Sequence, residues 1–280
     1  MKQKKYAVIG HPIGHTMSPF IHKRLFELAG IDAEYGALDI VPEALSREYD
    51  NILKKLDGYN ITIPHKRAVI PMLDELDTKA ELYGSVNTVR NQGGISKGFT
   101  TDPDGFVKAL EYASIPLMDR VVILGCGGVA RTMAYEALLK NAVVEFAVRP
   151  QSAEKAADLV REIKSVFTEA RVSVTDIGTL SGSITTLINA TPVGMSPNSD
   201  FQPVTDQVIK NSANVFDAIY NPLDTVLIKK ARANGSNAEG GMSMLVWQAV
   251  VAHEHWDGST YDAREIERLC LDASKELSSR

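Results

Sequence analysis

Short apolar runs of strand character alternate along the chain with longer stretches in which apolar residues return every three or four positions. KYAVIG leads into SPFIHKRLFELAG, EYGALDI follows, and PEALSREYDNILKKL comes next. This rhythm predicts βαβ units and a largely parallel sheet. In the first helical stretch Ile21, Leu25, Leu28 and Ala29 share a face and Gly30 ends the helix; in the second Leu45, Tyr49, Ile52, Leu53 and Leu56 do the same. Ser18 before Pro19 is expected as a helix N-cap. GYNITIP reads as a short strand ending at Pro64.

Farther on, SVNTVR and ISKGF flank NQGG, the pattern of a hairpin turning at its glycines, and TDPDGFVKALEYA opens a helix. From residue 120 a second βαβ series runs through RVVILGCGGVARTMAYEALL, VVEFAV, a helix over 152–167, TTLINAT and NVFDAIY. Two amphipathic helices, MLVWQAVVAHEHW and YDAREIERLCLDASKEL, follow the turn-like NAEGG. Pattern alone lets them pack on either half. The expected class is two-domain α/β: residues 1–103 with 238–280 form a substrate domain around a mainly parallel sheet, and 104–237 form a Rossmann-like domain.

Composition narrows the partners. With 280 residues, 44% of them hydrophobic and 23% charged, the chain can bury a sizeable core. A net charge of -5 argues against a nucleic-acid surface, so an anionic ligand must meet local cations. The two cysteines, Cys126 and Cys270, make no disulfide framework and suit a reducing cytoplasm. The apolar run after the first lysines is too short for a signal segment, and no stretch has the length of a membrane span.

The glycine-rich Gly125-Cys126-Gly127-Gly128-Val129-Ala130 sits between the strand VVIL and a helix, the setting that a dinucleotide-binding loop requires. A tight strand-to-helix turn is the ordinary alternative, and Cys126 is expected as a small loop residue. The next strand ends in VRPQSAEK, where Arg149 stands in place of the acid that would bind the 2′-hydroxyl of NAD. NADP is therefore the favoured cofactor, with NAD the alternative.

In NITIPHK, strand alternation puts Asn60 and Thr62 on one face, and Pro64 ends the strand so that Lys66 emerges from its tip. Asp102 before Pro103 fits an N-cap pair, and Asn87 is a polar residue in a strand-like run. Separately each has an ordinary structural explanation. Together with a hydride-donor loop they suit carbonyl reduction, which needs a positioned acid. The histidines 11, 15, 22, 65, 253 and 255 form no metal-ligand spacing, and His253 and His255 face apart on a helix. No metal is expected.

The order of motifs carries a resemblance. HTMSPFIH is similar to S-x-S-P-x-x-H, NITIPHK to N-V-T-x-P-x-K, GSVNT to G-A-V-N-T, and GFTTDPDG to G-x-N-T-D-x-x-G; GCGGVAR, NATPVGM, DAIYNP and GMSMLVWQA follow in register. Over essentially its whole length the chain resembles the shikimate dehydrogenase family. The resemblance implies NADPH-dependent, reversible reduction of 3-dehydroshikimate to shikimate, a step toward chorismate and the aromatic amino acids. It implies Lys66 as the acid or base with Asp102 beside it, and a substrate shell of Thr16, Ser18, Asn60, Thr62, Asn87, Asp102, Tyr220 and Gln248. For the cofactor it implies the loop from Gly125 to Ala130, together with Arg149, Asn189, Thr191, Ala218 and Gly241. The implied state is a monomer or homodimer.

The chain departs from the pattern at Thr16, where the family usually has serine, and at Lys23 and Thr100, where asparagine is common. VRPQSA replaces N-R-T followed by another basic residue, so Val148, Pro150 and Ala153 offer less to a 2′-phosphate, with Lys155 a substitute. Two rival readings follow. One is a quinate/shikimate or aminoshikimate-type dehydrogenase using NAD or NADP. The other is a non-catalytic NADP(H)-sensing protein, against which the presence of both Lys66 and Asp102 counts.

Overall fold

The strand and helix alternation is realised as two separate six-stranded sheets in a computed structural model that describes residues 3–14 and 16–279. Contacts divide the chain into Met1–Gly105 with Val246–Arg280, and Phe106–Leu245. The first unit contains β1 (Lys4–Gly10), α1 (Ser18–Ala29), β2 (Ala33–Asp39), α2 (Leu45–Asn51), β3 (Gly58–Ile61), β4 (Glu75–Leu76), α3 (Thr78–Tyr83), β5 (Thr88–Gln92) and β6 (Ile95–Phe99), and it runs into α4 (Asp102–Tyr112). Its strand order is β2-β1-β3-β5-β6-β4. The β1–β2, β1–β3 and β4–β6 pairs are parallel, whereas β5 runs antiparallel to both β3 and β6. The β5–β6 hairpin turns at Gly93 and Gly94, both at positive φ, which matches the twist of the flanking strands.

Side-chain alternation on β3 separates core from site. Tyr59 and Ile61 enter an apolar cluster with Ile9, Leu45, Tyr49, Leu53 and Val89. Gly58 and Asn60 take the opposite face. There Tyr6, Phe26, Ala252 and Trp256 pack together, and the Trp256 indole donates to the Val89 carbonyl at 2.9 Å.

Several local expectations change. Ser18 is the first residue of α1 rather than its cap: Met17 holds that position, and the Ser18 amide donates to Thr16 Oγ1 at 3.2 Å. The buried stripe of α1 is Ile21, His22, Leu25 and Phe26, because the two rings join the aromatic cluster; Leu28 is left 44% exposed. Ile52 is 38% exposed because α2 stops at Asn51 and a 3-10 turn takes over at Leu53. β3 ends at Ile61, so Lys66 lies on a turn beyond the strand and not at its tip. The first hydrogen bond of α4 runs from Gly105 N–H to the Thr101 carbonyl, which puts Thr101 in the cap position ahead of Asp102.

The second unit contains β7 (Arg120–Leu124), α5 (Gly128–Leu139), β8 (Val143–Val148), α6 (Ala153–Val166), β9 (Val172–Asp176), β10 (Ile184–Asn189), α7 (Asp206–Lys210), β11 (Ser212–Asp217), α8 (Val226–Ala233) and β12 (Asn237–Glu239). The order β12-β11-β10-β7-β8-β9 is parallel throughout and is the doubly wound dinucleotide-binding arrangement, with its switch point between β7 and β10. Because β12 joins this sheet, the return to the first unit falls within α9 (Gly241–Asp257), later than residue 238; α10 (Ala263–Ser278) completes the first unit.

Buried Asp217, at the end of β11, accepts from Asn189 Nδ2 at 3.0 Å, the Ile219 amide at 3.1 Å and the Thr225 hydroxyl at 2.7 Å. It thereby fixes the loops after β10 and β11. Burial pushes its carboxyl up from 3.8 to about 6, against the opposing pull of these donors.

Two tests follow from these packings. A Cβ built on Gly58 would lie 2.5 Å from Trp256 Nε1 and 2.8 Å from the Val89 carbonyl oxygen. Gly58→Ala should therefore cost about 1–3 kcal/mol in urea unfolding, the range for overpacking. The raised pKa of Asp217 means that the folded chain holds this proton more tightly than the unfolded chain, so its contribution is full below 3.8 and is lost as pH rises through about 6. Between pH 5 and pH 7 wild type should lose about 1.4 kcal/mol relative to Asp217→Asn, one pH unit's worth of proton linkage.

Candidate active site

In the first unit the turn after β3 carries Lys66, and two contacts hold that turn. Buried His65 bonds the Ile40 carbonyl through Nε2 at 2.6 Å, and the Lys66 carbonyl accepts from the Val86 amide at 2.8 Å. Lys66 Nζ donates to Asp102 Oδ2 at 2.6 Å, with the side chains 27% and 22% exposed. This pair is screened from bulk water yet open enough to meet a ligand.

Asn87 bridges the pair to the interior. Its Oδ1 accepts from the Thr101 backbone amide at 2.7 Å, which turns the amide nitrogen toward Asp102 Oδ1 at 2.8 Å. The same nitrogen lies 3.4 Å from Gln248 Oε1 on α9. Asn60 enters through Thr88, donating from Nδ2 to Thr88 Oγ1 at 3.0 Å and to the Asn87 carbonyl at 3.3 Å. Thr62, past the end of β3, is tied to β1 by its amide, which donates to the Ile9 carbonyl at 2.9 Å. Thr16 and Ser18 stand together at the start of α1, Oγ1 to Oγ at 3.1 Å.

The second unit holds the remaining predicted residues. Gly125 leaves β7 at φ 96°, with its amide on the Ala147 carbonyl at 3.1 Å, and Thr191 Cγ2 would lie 2.9 Å from any Cβ there. Gly127, Gly128 and Val129 are exposed, whereas Ala130 is fully buried and brings α5 close to the sheet. No side chain caps α5 and no acid lies in its first turn. Cys126 is half-buried, its thiol 4.0 Å from the Ser152 carbonyl. Arg149 is exposed just beyond β8, while Glu145, within that strand, pairs with Arg120.

Asn189 is fully buried: Oδ1 accepts from the Thr191 amide and hydroxyl, and Nδ2 donates to Asp217 and the Val193 carbonyl. It shapes the loop after β10 and spends its polar atoms there. The Ala218 carbonyl lies so near Gly241 that a Cβ on that glycine would be 2.3 Å away. Tyr220 is half-buried in this unit, and burial raises its phenol above the ordinary value.

Among the described residues no group of three or more His, Cys, Asp or Glu side chains could hold a metal ion; His15 lies outside them. The residues that sequence reasoning missed are Tyr35, His65, Thr88 and Thr101, which fix the predicted side chains from behind. Thr88 and Thr101 belong to the quoted GSVNT and GFTTDPDG, so motif membership could have found them. Tyr35 lies in the strand-like run EYGALDI but in none of the quoted motifs, and had no such signal.

Residues 8–89 match the model of the shikimate dehydrogenase substrate binding domain. The chain is 38% identical over 280 residues to the shikimate dehydrogenase (NADP+) of Methanocaldococcus jannaschii, covering 97% of each chain. The shikimate 5-dehydrogenase of Thermus thermophilus, solved in complex with NADP(H) and shikimate, is similar at TM-score 0.85 and 29% identity, covering 97% of this chain and 100% of that one. A ligand-free 5-ketofructose reductase of Gluconobacter sp. reaches 0.82 at 31% identity, covering 97% and 99%. Similarity at this level along nearly the whole length shows that the chain belongs to the shikimate dehydrogenase family.

Proposed function

We propose that this protein is an NADP-dependent shikimate dehydrogenase that reversibly reduces 3-dehydroshikimate to shikimate, a step of chorismate and aromatic amino acid biosynthesis. The observation that carries the reading is the Lys66–Asp102 pair, 2.6 Å apart and oriented by Asn87 in the unit that matches a shikimate dehydrogenase substrate domain. In this reading the unit of residues 1–105 with 246–280 binds substrate and the unit of residues 106–245 binds the dinucleotide.

The second unit suits that cofactor: a pyrophosphate needs close backbone approach at a helix N-terminus, and α5 begins with exposed Gly127 in the cap position and exposed Gly128 as its first residue, with no side chain capping it. Arg149 would meet the 2′-phosphate as a charged donor. Thr191, Ala218 and Gly241 would line the loops, with Asn189 acting through their shape. When bound, NADPH supplies the hydride.

The chain's own residues do the rest. As negative charge develops on the carbonyl oxygen, the Lys66 ammonium stabilises and protonates it, and in the reverse direction the amine accepts that proton. Asp102 holds the ammonium with one oxygen and accepts from Asn87 with the other, so lone pairs remain for a substrate hydroxyl. Asn60, Thr62, Asn87, Gln248 and Tyr220 would orient the ring hydroxyls. The Thr16 and Ser18 hydroxyls beside the N-terminus of α1 would take the carboxylate. That pair favours an acid over 5-ketofructose, a neutral sugar.

A cytoplasmic setting and action as a monomer or homodimer, without nucleic acid or membrane, complete the proposal. No helix among the described residues is long and apolar enough to cross a membrane.

Steady-state rates with shikimate and quinate, each with NADP and NAD, test the assignment. Shikimate with NADP should give the highest kcat/KM; a preference for quinate with NAD would replace it with the rival dehydrogenase. Lys66→Ala should lower kcat by about 10²- to 10⁴-fold and leave shikimate binding largely intact, and unchanged turnover would remove Lys66 from the mechanism. Arg149→Ala should raise the KM for NADP about tenfold or more with little change for NAD, as loss of a charged hydrogen bond predicts.

A further inference from the structure

Each sheet ends in two edge strands, and β2 is the longest of them. β4, β12 and β9 have 2, 3 and 5 residues, whereas β2 has 7, in unbroken register with β1 and with no proline, lysine, arginine or bulge. Edge strands are ordinarily blunted by such features, because their free N–H and C=O groups invite another strand. Side chains hold β2 firmly in its own sheet. The Tyr35 hydroxyl donates to Asn60 Oδ1 at 2.6 Å, and its ring stacks on His22 of α1 with centroids 4.3 Å apart.

The ladder fixes which backbone groups of β2 are free. At one end the Lys4 amide donates to the Asp32 carbonyl at 3.3 Å, and at the other the Ile40 amide donates to the Gly10 carbonyl at 3.0 Å. With Lys4 opposite Ala33 and Gly10 opposite Asp39, the residues Glu34, Gly36 and Leu38 turn their N–H and C=O to β1. Ala33, Tyr35, Ala37 and Asp39 turn theirs outward, and among the described residues no hydrogen bond reaches these outward groups. They are spaced evenly about Gly36. When a two-fold axis through Gly36 lays a second β2 antiparallel to the first, Ala33 meets Asp39 and Tyr35 meets Ala37, each pair exchanging both its bonds. No other centre uses the whole strand. Between these pairs Glu34 meets Leu38 and Gly36 meets Gly36, so like charges never stand opposite one another. The centre is unobstructed, with nothing within 4 Å of a Cβ built on Gly36. Past the ladder the same axis brings Val41, which is 41% exposed, toward Ile31 of the second copy.

We propose that β2 is the homodimerisation edge of this protein: two copies pair their β2 strands antiparallel about Gly36 and join two substrate-unit sheets into one continuous sheet. A second copy fits better than a foreign strand because the edge is complementary to itself over its whole length. The contact is isologous and consumes the free edge of both copies, so assembly stops at two. Dimerisation through β2 stands apart from the substrate reading and holds or fails without it.

Sedimentation of the full chain at micromolar concentration, combined with cysteine cross-linking, tests the pairing and its register. Wild type should sediment at twice the chain mass. Opposite Cα atoms in a non-hydrogen-bonded antiparallel pair lie about 4.5 Å apart, a span that a disulfide can close. Gly36→Cys should therefore form a covalent dimer on oxidation. Ala37→Cys, which would face Tyr35 rather than itself, should form none, and neither should wild type, whose Cys126 and Cys270 lie outside β2. Ala37→Pro removes only an outward N–H, so the circular dichroism of the chain should be kept while the dimer dissociation constant rises about tenfold or more, each copy losing a hydrogen bond. A monomeric wild type would overturn the proposal. So would a dimer in which Gly36→Cys does not cross-link, Ala37→Cys cross-links as readily, or a folded Ala37→Pro associates as tightly as wild type.

Discussion

One amide that cannot turn sets the geometry of the candidate site. Asn87 Oδ1 is claimed by the Thr101 backbone N–H, so its nitrogen has to point at Asp102. Asp102 is thereby presented with one oxygen to the amide and the other to Lys66. Had Asp102 capped α4 as its place before Pro103 suggests, the carboxylate would have been spent on helix amides. Thr101 in the cap position leaves it for chemistry. A buried backbone donor costs free energy unless it is paired, so an ordinary requirement of folding has been used to aim a carboxylate.

How much of this the sequence discloses depends on the range of the interaction. The βαβ rhythm, the glycine hairpin and the dinucleotide loop were legible because each is local: period, turn chemistry and the position of a loop between strand and helix all lie within about twenty residues. Lys66, Asp102, Asn87 and Gln248 were legible through the resemblance. Their mutual arrangement was not, since it joins segments separated by as many as 161 positions. Leu28 and Ile52 show the same limit in the core: apolar periodicity placed them inward, and packing elsewhere moved them out. The α1 stripe rotated toward His22 and Phe26 because partners for those rings lie on α9, invisible from the helix itself.

The two units solve different problems with similar sheets. In the second, parallel strands meet at a switch point, and side chains such as Asn189 and Asp217 fix the backbone of the loops beside it. In the first, an antiparallel hairpin inserted beside parallel strands sets polar side chains from neighbouring strands on one face. Asn60 and Thr88 are paired across β3 and β5 on the face where Gly58 leaves room for Trp256. That face is a packed core at one end and a polar site at the other.

Trp256 also fixes an order of events during synthesis. The unit spanning Phe106–Leu245 is contiguous, so the ribosome releases all of its strands before the other unit is complete. The first unit begins the chain but lacks the indole that closes over Gly58 and Val89 until residue 256 has emerged. Its sheet therefore waits, with one apolar face uncovered, through the synthesis of an entire neighbouring fold. The segment from Phe106 to Leu245 can be finished while the segment that holds Lys66 and Asp102 is still open.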